Sequence, residues 1–185
     1  MNGPVTAGDD GPTVFATVGT DHHRFSRLVR WVDDWVEANA GQGVTGFIQS
    51  GTSPAPRRSR SAPYLGYDEM EQAMRNACAV VTHGGPGSIM LCSSLGKKPI
   101  VVPRQASLDE HVDDHQVMFT GRLAQAGTID LADSESRLHE LLSAALAGGT
   151  SVAGTRGREH VDAAVRRFGE LVGELVGEHG HMPAA

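Results

Sequence analysis

The densest chemistry in the sequence lies between residues 83 and 116. A short apolar run, Ala79 to Thr82, delivers His83 and then Gly84, Gly85, Pro86, Gly87 and Ser88. Glycines at these positions permit positive φ and close approach of backbone to a ligand. Pro86 suits the first turn of a helix, where a missing N–H costs nothing. The free amides and dipole of such a helix start attract an anion, and a diphosphate is the natural occupant. Ser88 adds a hydroxyl donor. Taken alone, the same residues also read as a tight turn, and their spacing is not the dinucleotide fingerprint G-x-G-x-x-G. His83 reads two ways: as a donor toward phosphate or sugar, or as the residue that holds the turn.

Other polar residues cluster near strand ends. Gly19 and Thr20 close the first apolar run, and His22 and His23 follow them. One of this histidine pair could face an acceptor or act as a base; the plainer reading, which is preferred, is a solvated loop. His111 and His115 stand four apart on an expected helix, a spacing that can bind a metal. A sugar-site or capping role is preferred there, and no metal is expected. Arg57, Arg58 and Arg60 form a basic cluster that reads as a solvated loop, or as a contact for anionic lipid headgroups.

These residues need a scaffold to converge. Apolar runs at Thr13 to Val18, Val44 to Gln49, Ala79 to Thr82 and Pro99 to Val102 read as buried strands, with short ones at Tyr64 to Gly66 and Thr128 to Leu131. Helical spacing is expected over Arg24 to Ala38, Glu69 to Ala77 with Asp68 as its cap, Ser88 to Leu95 with Gly96 closing it, Asp109 to Gln125, Ser134 to Leu146, and Gly157 to Val176. Strands alternating with helices imply a Rossmann-like α/β fold, a parallel sheet with helices on both faces. Ligands in such sheets bind outside the carboxyl ends of the strands. The polar loops above lie at such ends.

Composition narrows the possibilities. One domain over residues 13–178 is expected, flanked by tails at 1–12 and 179–185. Hydrophobic residues make up 39% of the chain, and no run approaches the ~20 apolar residues of a membrane span. A cytoplasmic location is expected, because the Gly/Asp/Pro-rich start lacks the pattern of a signal peptide. The formal net charge of −6 argues against non-specific nucleic-acid binding. Cys78 and Cys92 lack metal-ligand spacing and read as buried thiols.

The combination of His83 to Ser88, Lys98 to Pro103 and Glu110 to Gln116 resembles the C-terminal domain of family 28 glycosyltransferases. Phe15 to Thr20, Phe47 to Gly51 and Tyr67 to Met70 extend the likeness, which covers about Thr13 to Gly127. It is similar to the small subunits of bacterial two-chain transferases for exopolysaccharide and capsule synthesis. It is also similar to the small catalytic subunit of the eukaryotic dolichol-linked N-acetylglucosaminyltransferase. The resemblance implies the donor-binding half of a GT-B fold. By position, Gly84, Gly85, Gly87 and Ser88 would bind the diphosphate, and Val102, Pro103 and Arg104 would lie near the base. Asp114, His115 and Gln116 would contact the sugar or its proximal phosphate. Leu91 stands where many relatives have a glutamate for the ribose hydroxyls, a role that would pass to Glu110 or to backbone groups.

The implied activity is that of a UDP-sugar-dependent hexosyltransferase subunit, with the UDP-sugar as substrate and no cofactor. Its acceptor would be a lipid-linked saccharide, presented by a membrane-anchored acceptor-binding subunit. The chain would then sit peripherally at the inner face of the membrane. The rival readings are a sugar-nucleotide epimerase-like protein and a non-catalytic nucleotide-sugar-binding module. The last helix, with Val161, Phe168 and Leu175 on one stripe, reads as packing on its own sheet or on the partner.

Overall fold

Strand side chains alternate between two faces, and in this chain both faces are apolar. Val14, Ala16 and Val18, with Val81, Ile100 and Val102, join one buried cluster; Phe15 and Val80 join a second and Val101 a third. That pattern demands helices on both sides. The computed structural model describes residues 13–149 together with Arg166 and Gly169. The expected tails at 1–12 and 179–185, and the stripe of Val161, Phe168 and Leu175, lie outside the described residues.

Among the described residues the strands are β1 (Thr13–Thr17), β2 (Thr45–Gln49), β3 (Arg60–Ala62), β4 (Ala79–His83), β5 (Ile100–Val102) and β6 (Asp130–Leu131). The helices are α1 (Ser26–Ala38), α2 (Tyr67–Asn76), α3 (Pro86–Ser94), α4 (His115–Gln125) and α5 (Glu135–Ala144). All strand pairs are parallel, in the order β3-β2-β1-β4-β5-β6. The order reverses between β1 and β4, and a crevice for ligands opens at the carboxyl ends of these two strands. On one face α1 and α5 pack together, with Leu28, Val32, Trp35, Leu138 and Leu142 buried. Met74 of α2, Cys92 and Ile89 of α3 and Leu123 of α4 cover the other face. The Rossmann-like α/β architecture expected from the sequence is the one observed.

Three local expectations need correction. The third strand is not Tyr64 to Gly66 but Arg60–Ala62, inside what reads as a loop; it is recruited by pairing with Phe47, Ile48 and Gln49, while Arg60 lies over the Phe47 ring. Helix α2 starts two residues earlier than an Asp68 cap implies, because the Glu69 carboxylate accepts the Gly66 amide at 2.8 Å. Helix α4 begins at His115, not Asp109. Asp109 adopts a left-handed φ of 59°, which ends a short 3-10 turn and stops a helix from forming there.

One buried carboxylate connects the helix layer to the loops above the sheet. Asp33 of α1 is only 2% exposed and accepts the amides of Arg57, Arg58 and Ser59. It thereby holds the β2–β3 loop. That loop in turn supports the β1–α1 loop: Ser53 Oγ accepts the Phe25 amide at 2.7 Å, and Thr52 Oγ1 donates to the His22 carbonyl. Burial alone would raise the Asp33 carboxyl, but the amides of Ser59, Arg57 and Arg58 outweigh it and hold it below 3.8. Its contribution to stability is therefore present above the ordinary carboxylate range and is lost as pH falls through the depressed folded value. Replacing Asp33 by Ala strands three amides and should cost about 2–4 kcal/mol in urea unfolding at pH 7. The penalty should shrink below pH 3; a penalty that is the same at both pH values would refute this role.

Candidate functional site

The crevice is built from the β1–α1 loop, the turn between β4 and α3, and the loop between β5 and α4. In the glycine turn, Gly85 is the N-cap of α3 and Pro86 is its first residue. The amides of Gly87 and Ser88 fall in the first turn, where no intrahelical acceptor exists. Gly87 faces open space, with nothing within 4 Å of where a Cβ would lie. Leu91, one turn further on, packs into the Phe15–Met74 cluster rather than offering a polar group.

His83 explains why two of the neighbouring residues are glycine. A Cβ on Gly19 would lie 2.5 Å from its Cε1, and one on Gly85 would collide with its Nε2. Gly19 also needs its positive φ of 80°. The imidazole is thus wedged between the β1–α1 loop and the turn before α3. Its Nδ1 and the hydroxyl of the adjacent Thr82 are buried without a hydrogen-bond partner among the described residues. Burial, and then the charge of Arg104, hold the His83 pKa down to about 4. The ring is neutral at physiological pH.

Gln116, at the start of α4, reaches across to the same turn. Its Oε1 accepts the Gly84 amide at 3.1 Å and the Arg104 amide at 3.3 Å. The fit is close: a Cβ on Gly84 would lie 3.0 Å from that oxygen. The amide oxygen therefore ties β4 to β5, which leaves the amide nitrogen as the end able to meet a ligand.

Arg104 does not present its guanidinium at the surface. It is 0% exposed and donates to the carbonyls of Val18 (2.8 Å), Glu110 (2.8 Å) and His23 (3.0 Å), with its plane over the Phe25 ring. Pro103, before it, is buried, and its carbonyl accepts from Arg27. Glu110 is likewise engaged within the protein. It takes a bidentate bond from Arg27, at 2.9 and 2.7 Å, and accepts the Gln105 amide. Asp114 is exposed and accepts the Ala106 amide, and His115 is exposed and pairs with Asp113 at 2.7 Å. Thr20 is exposed at the tip of the β1–α1 loop.

The histidine spacing expected for a helix is not realised, because His111 precedes α4. His111 instead points its Nε2 toward Asp21 Oδ2 at 3.7 Å, across the crevice mouth. Asp21, His22 and His23 bring potential ligand atoms within 4.8 Å of one another. Within the basic cluster, Arg57 pairs with Asp34 and Glu37, and Arg60 lies over the Phe47 ring.

Four residues that organise the site escaped the sequence reading. Asp21, Arg27 and Asp33 belong to none of the motifs read from the sequence. Gln49, 1% exposed at the end of β2, binds both the Gly19 amide and the Gly19 carbonyl, and accepts from Thr17. The available signal was a polar residue closing an apolar strand.

This architecture, with a parallel sheet, a switch point, and a glycine turn opening a helix, defines a nucleotide-binding α/β domain. Residues 13–164 match the family described as Glycosyltransferase family 28 C-terminal domain, and the chain belongs to that family, the nucleotide-sugar-binding half of GT-B enzymes. No curated protein matches. Among solved structures the fold is similar to SnogD from Streptomyces nogalater, at 16% identity and a TM-score of 0.51, covering 96% of this chain and 45% of that one. It is similar to the glycosyltransferase VinC in complex with DTDP, at 20% identity and a TM-score of 0.55, covering 94% and 43%. It is also similar to ALG13, at 17% identity and a TM-score of 0.50, covering 74% and 86%. The chain thus spans less than half the length of the first two. No described helix is long and apolar enough to cross a membrane.

The neutral His83 has a measurable consequence. The unfolded chain binds a proton at this residue near pH 6.5 and the folded chain only near 4, so stability falls as pH drops through that window. Urea unfolding should show His83→Gln losing less stability than the parent between pH 7 and pH 4, by on the order of 2–3 kcal/mol. Parallel slopes for the two proteins would show that the ring is not held neutral.

Proposed function

We propose that this chain is the donor-binding subunit of a UDP-sugar-dependent glycosyltransferase. It transfers a hexose-type sugar to a lipid-linked acceptor in cell-surface polysaccharide synthesis, together with a membrane-anchored subunit that binds the acceptor. The observation that carries the reading is the start of α3: a glycine turn at the switch point, with first-turn amides and open space at Gly87. A nucleoside diphosphate seated there gains from the helix dipole and from backbone donors. As the glycosidic bond to phosphate breaks, charge grows on the leaving diphosphate, and preorganised amides stabilise that charge more than they stabilise the ground state. No cofactor enters this scheme.

The nucleoside diphosphate named with VinC supports the ligand class, since VinC has the same fold. Support for a second subunit comes from the likeness to ALG13, 86% of which lies within the match. An acceptor held by another polypeptide would complete the cleft and supply the orientation on which group transfer depends.

Gly87 gives the cleanest test. A side chain at Gly85 would displace His83, whereas one at Gly87 meets nothing. Gly87→Asp places a carboxylate on the helix dipole, so the folded state should keep or gain stability. The same charge should repel a diphosphate and weaken UDP at least thirtyfold in calorimetry. Unchanged UDP affinity in the folded variant would remove the proposed site.

A further inference from the structure

The crevice mouth holds several histidines, and hydrogen bonding sorts them. His23 Nδ1 lies 2.7 Å from Asp21 Oδ1, and the same oxygen accepts the His23 backbone amide at 2.7 Å. A ring nitrogen at that distance from a carboxylate is the protonated one, so Nε2 carries the lone pair. The residue is further fixed by Arg104, which grips its carbonyl at 3.0 Å. Its side chain is 24% exposed, which keeps the free nitrogen within reach of a reactant.

The other histidines lack one or another of these properties. His22 is 84% exposed, and its 3.6 Å separation from Asp21 is too long for a hydrogen bond. His111 Nδ1 lies between the Asp113 amide at 3.4 Å and the Asp113 carboxylate at 3.2 Å, longer contacts than the 2.7 Å bond that fixes the His23 ring. His83 is wedged between two glycines and is a weak base at about 4. A metal bound by Asp21, His22 and His23 would need ligand atoms about 3.3 Å apart, from bonds of ~2.0–2.1 Å, and both ring nitrogens deprotonated. The 2.7 Å contact is instead a proton-bearing hydrogen bond.

From this geometry we propose that His23, oriented by Asp21, is the general base of the transfer reaction, with Asp21 as its positioning residue. The proposal rests on the donor-binding reading above. The acceptor hydroxyl oxygen forms its bond to the anomeric carbon as the bond from that carbon to the phosphate oxygen breaks. The electron pair leaves with the nucleoside diphosphate, and the hydroxyl proton passes to His23 Nε2 and then to water. The carboxylate of Asp21 stabilises the imidazolium that forms, as in other base–orienter pairs. Burial would raise the Asp21 carboxyl, but the His23 amide and ring and the charge of Arg104 hold it below 3.8, so it stays ionised throughout. The groups that face the ring are Asp21, the tilted His22 ring at 4.0 Å, His111 at 6.1 Å and the Arg104 guanidinium on its carbonyl.

The test uses the full chain with membranes of the producing cell, which supply the acceptor. UDP-glucose, UDP-galactose and UDP-N-acetylglucosamine serve as donor probes, with released UDP measured across pH. His23→Ala should slow release about 10²–10³-fold, the span of general-base catalysis, while UDP affinity stays within about twofold. Asp21→Asn should shift the acid limb of the rate profile to lower pH, since it removes the carboxylate that favours the imidazolium. Nitrogen-resolved NMR should find His23 protonated at Nδ1 in the parent and not held there in Asp21→Asn. The dyad is overturned if His23→Ala releases UDP as fast as the parent although both bind it, or if the acid limb does not move. It is equally overturned if chelation stops release and zinc restores it. Failure of the parent to bind UDP at all would instead defeat the donor-binding reading, and the dyad with it.

Discussion

A buried guanidinium holds this crevice together. Arg104 sits at the end of β5 and satisfies carbonyls from the end of β1, the β1–α1 loop and the β5–α4 loop. Such a cation is costly to bury, and it is tolerated because directed acceptors and an aromatic face replace its water. The planar fork holds its three acceptors in a fixed, spread geometry, which the compact ammonium of a lysine does not impose. Arg27 and Glu110 extend the network to α1. The end of β1, the β1–α1 loop and the β5–α4 loop are tied together at this centre. The same charge also helps to keep His83 neutral.

Around that centre the packing is close. His83 occupies the space that side chains would need at Gly19 and Gly85, and Gln116 occupies the space beside Gly84. These glycines serve contact with each other's loops as well as access for a ligand. A rigid rim follows: the β1–α1 loop is held by Gln49, Ser53, Thr52 and Arg104, from three different parts of the chain. Preorganisation of this kind is what electrostatic stabilisation of a leaving group requires.

Much of the architecture was legible because its signals are local. Short apolar strands, helical spacing in α1, and the glycine turn before α3 are properties of contiguous residues. The parts that were not legible depend on contacts distant in sequence. β3 contains Arg60, Ser61 and Ala62, which have no strand pattern of their own and are extended only because β2 offers a parallel edge. The start of α4 was misplaced because the left-handed conformation of Asp109 is not written in its neighbours. The orientation of Arg104 and Glu110 was not legible, since their burial beneath the crevice is decided by Val18, His23 and Arg27. Asp21 and His23 stood in plain view as a polar loop, and only the shared oxygen between amide and ring distinguishes them from solvated residues.

The sheet also has a consequence at its borders. Both outer strands are vestigial: β3 has three residues and β6 has two. At one border Arg60 leans over Phe47, and at the other Lys98 pairs with Asp130 at 2.6 Å. Short edges that carry charge are poor templates for an incoming strand. Among the described residues the sheet edges thereby disfavour lateral growth, whether by self-association or by β-augmentation. Association through the described residues is thus directed to helix surfaces or to the carboxyl end, where the crevice already opens.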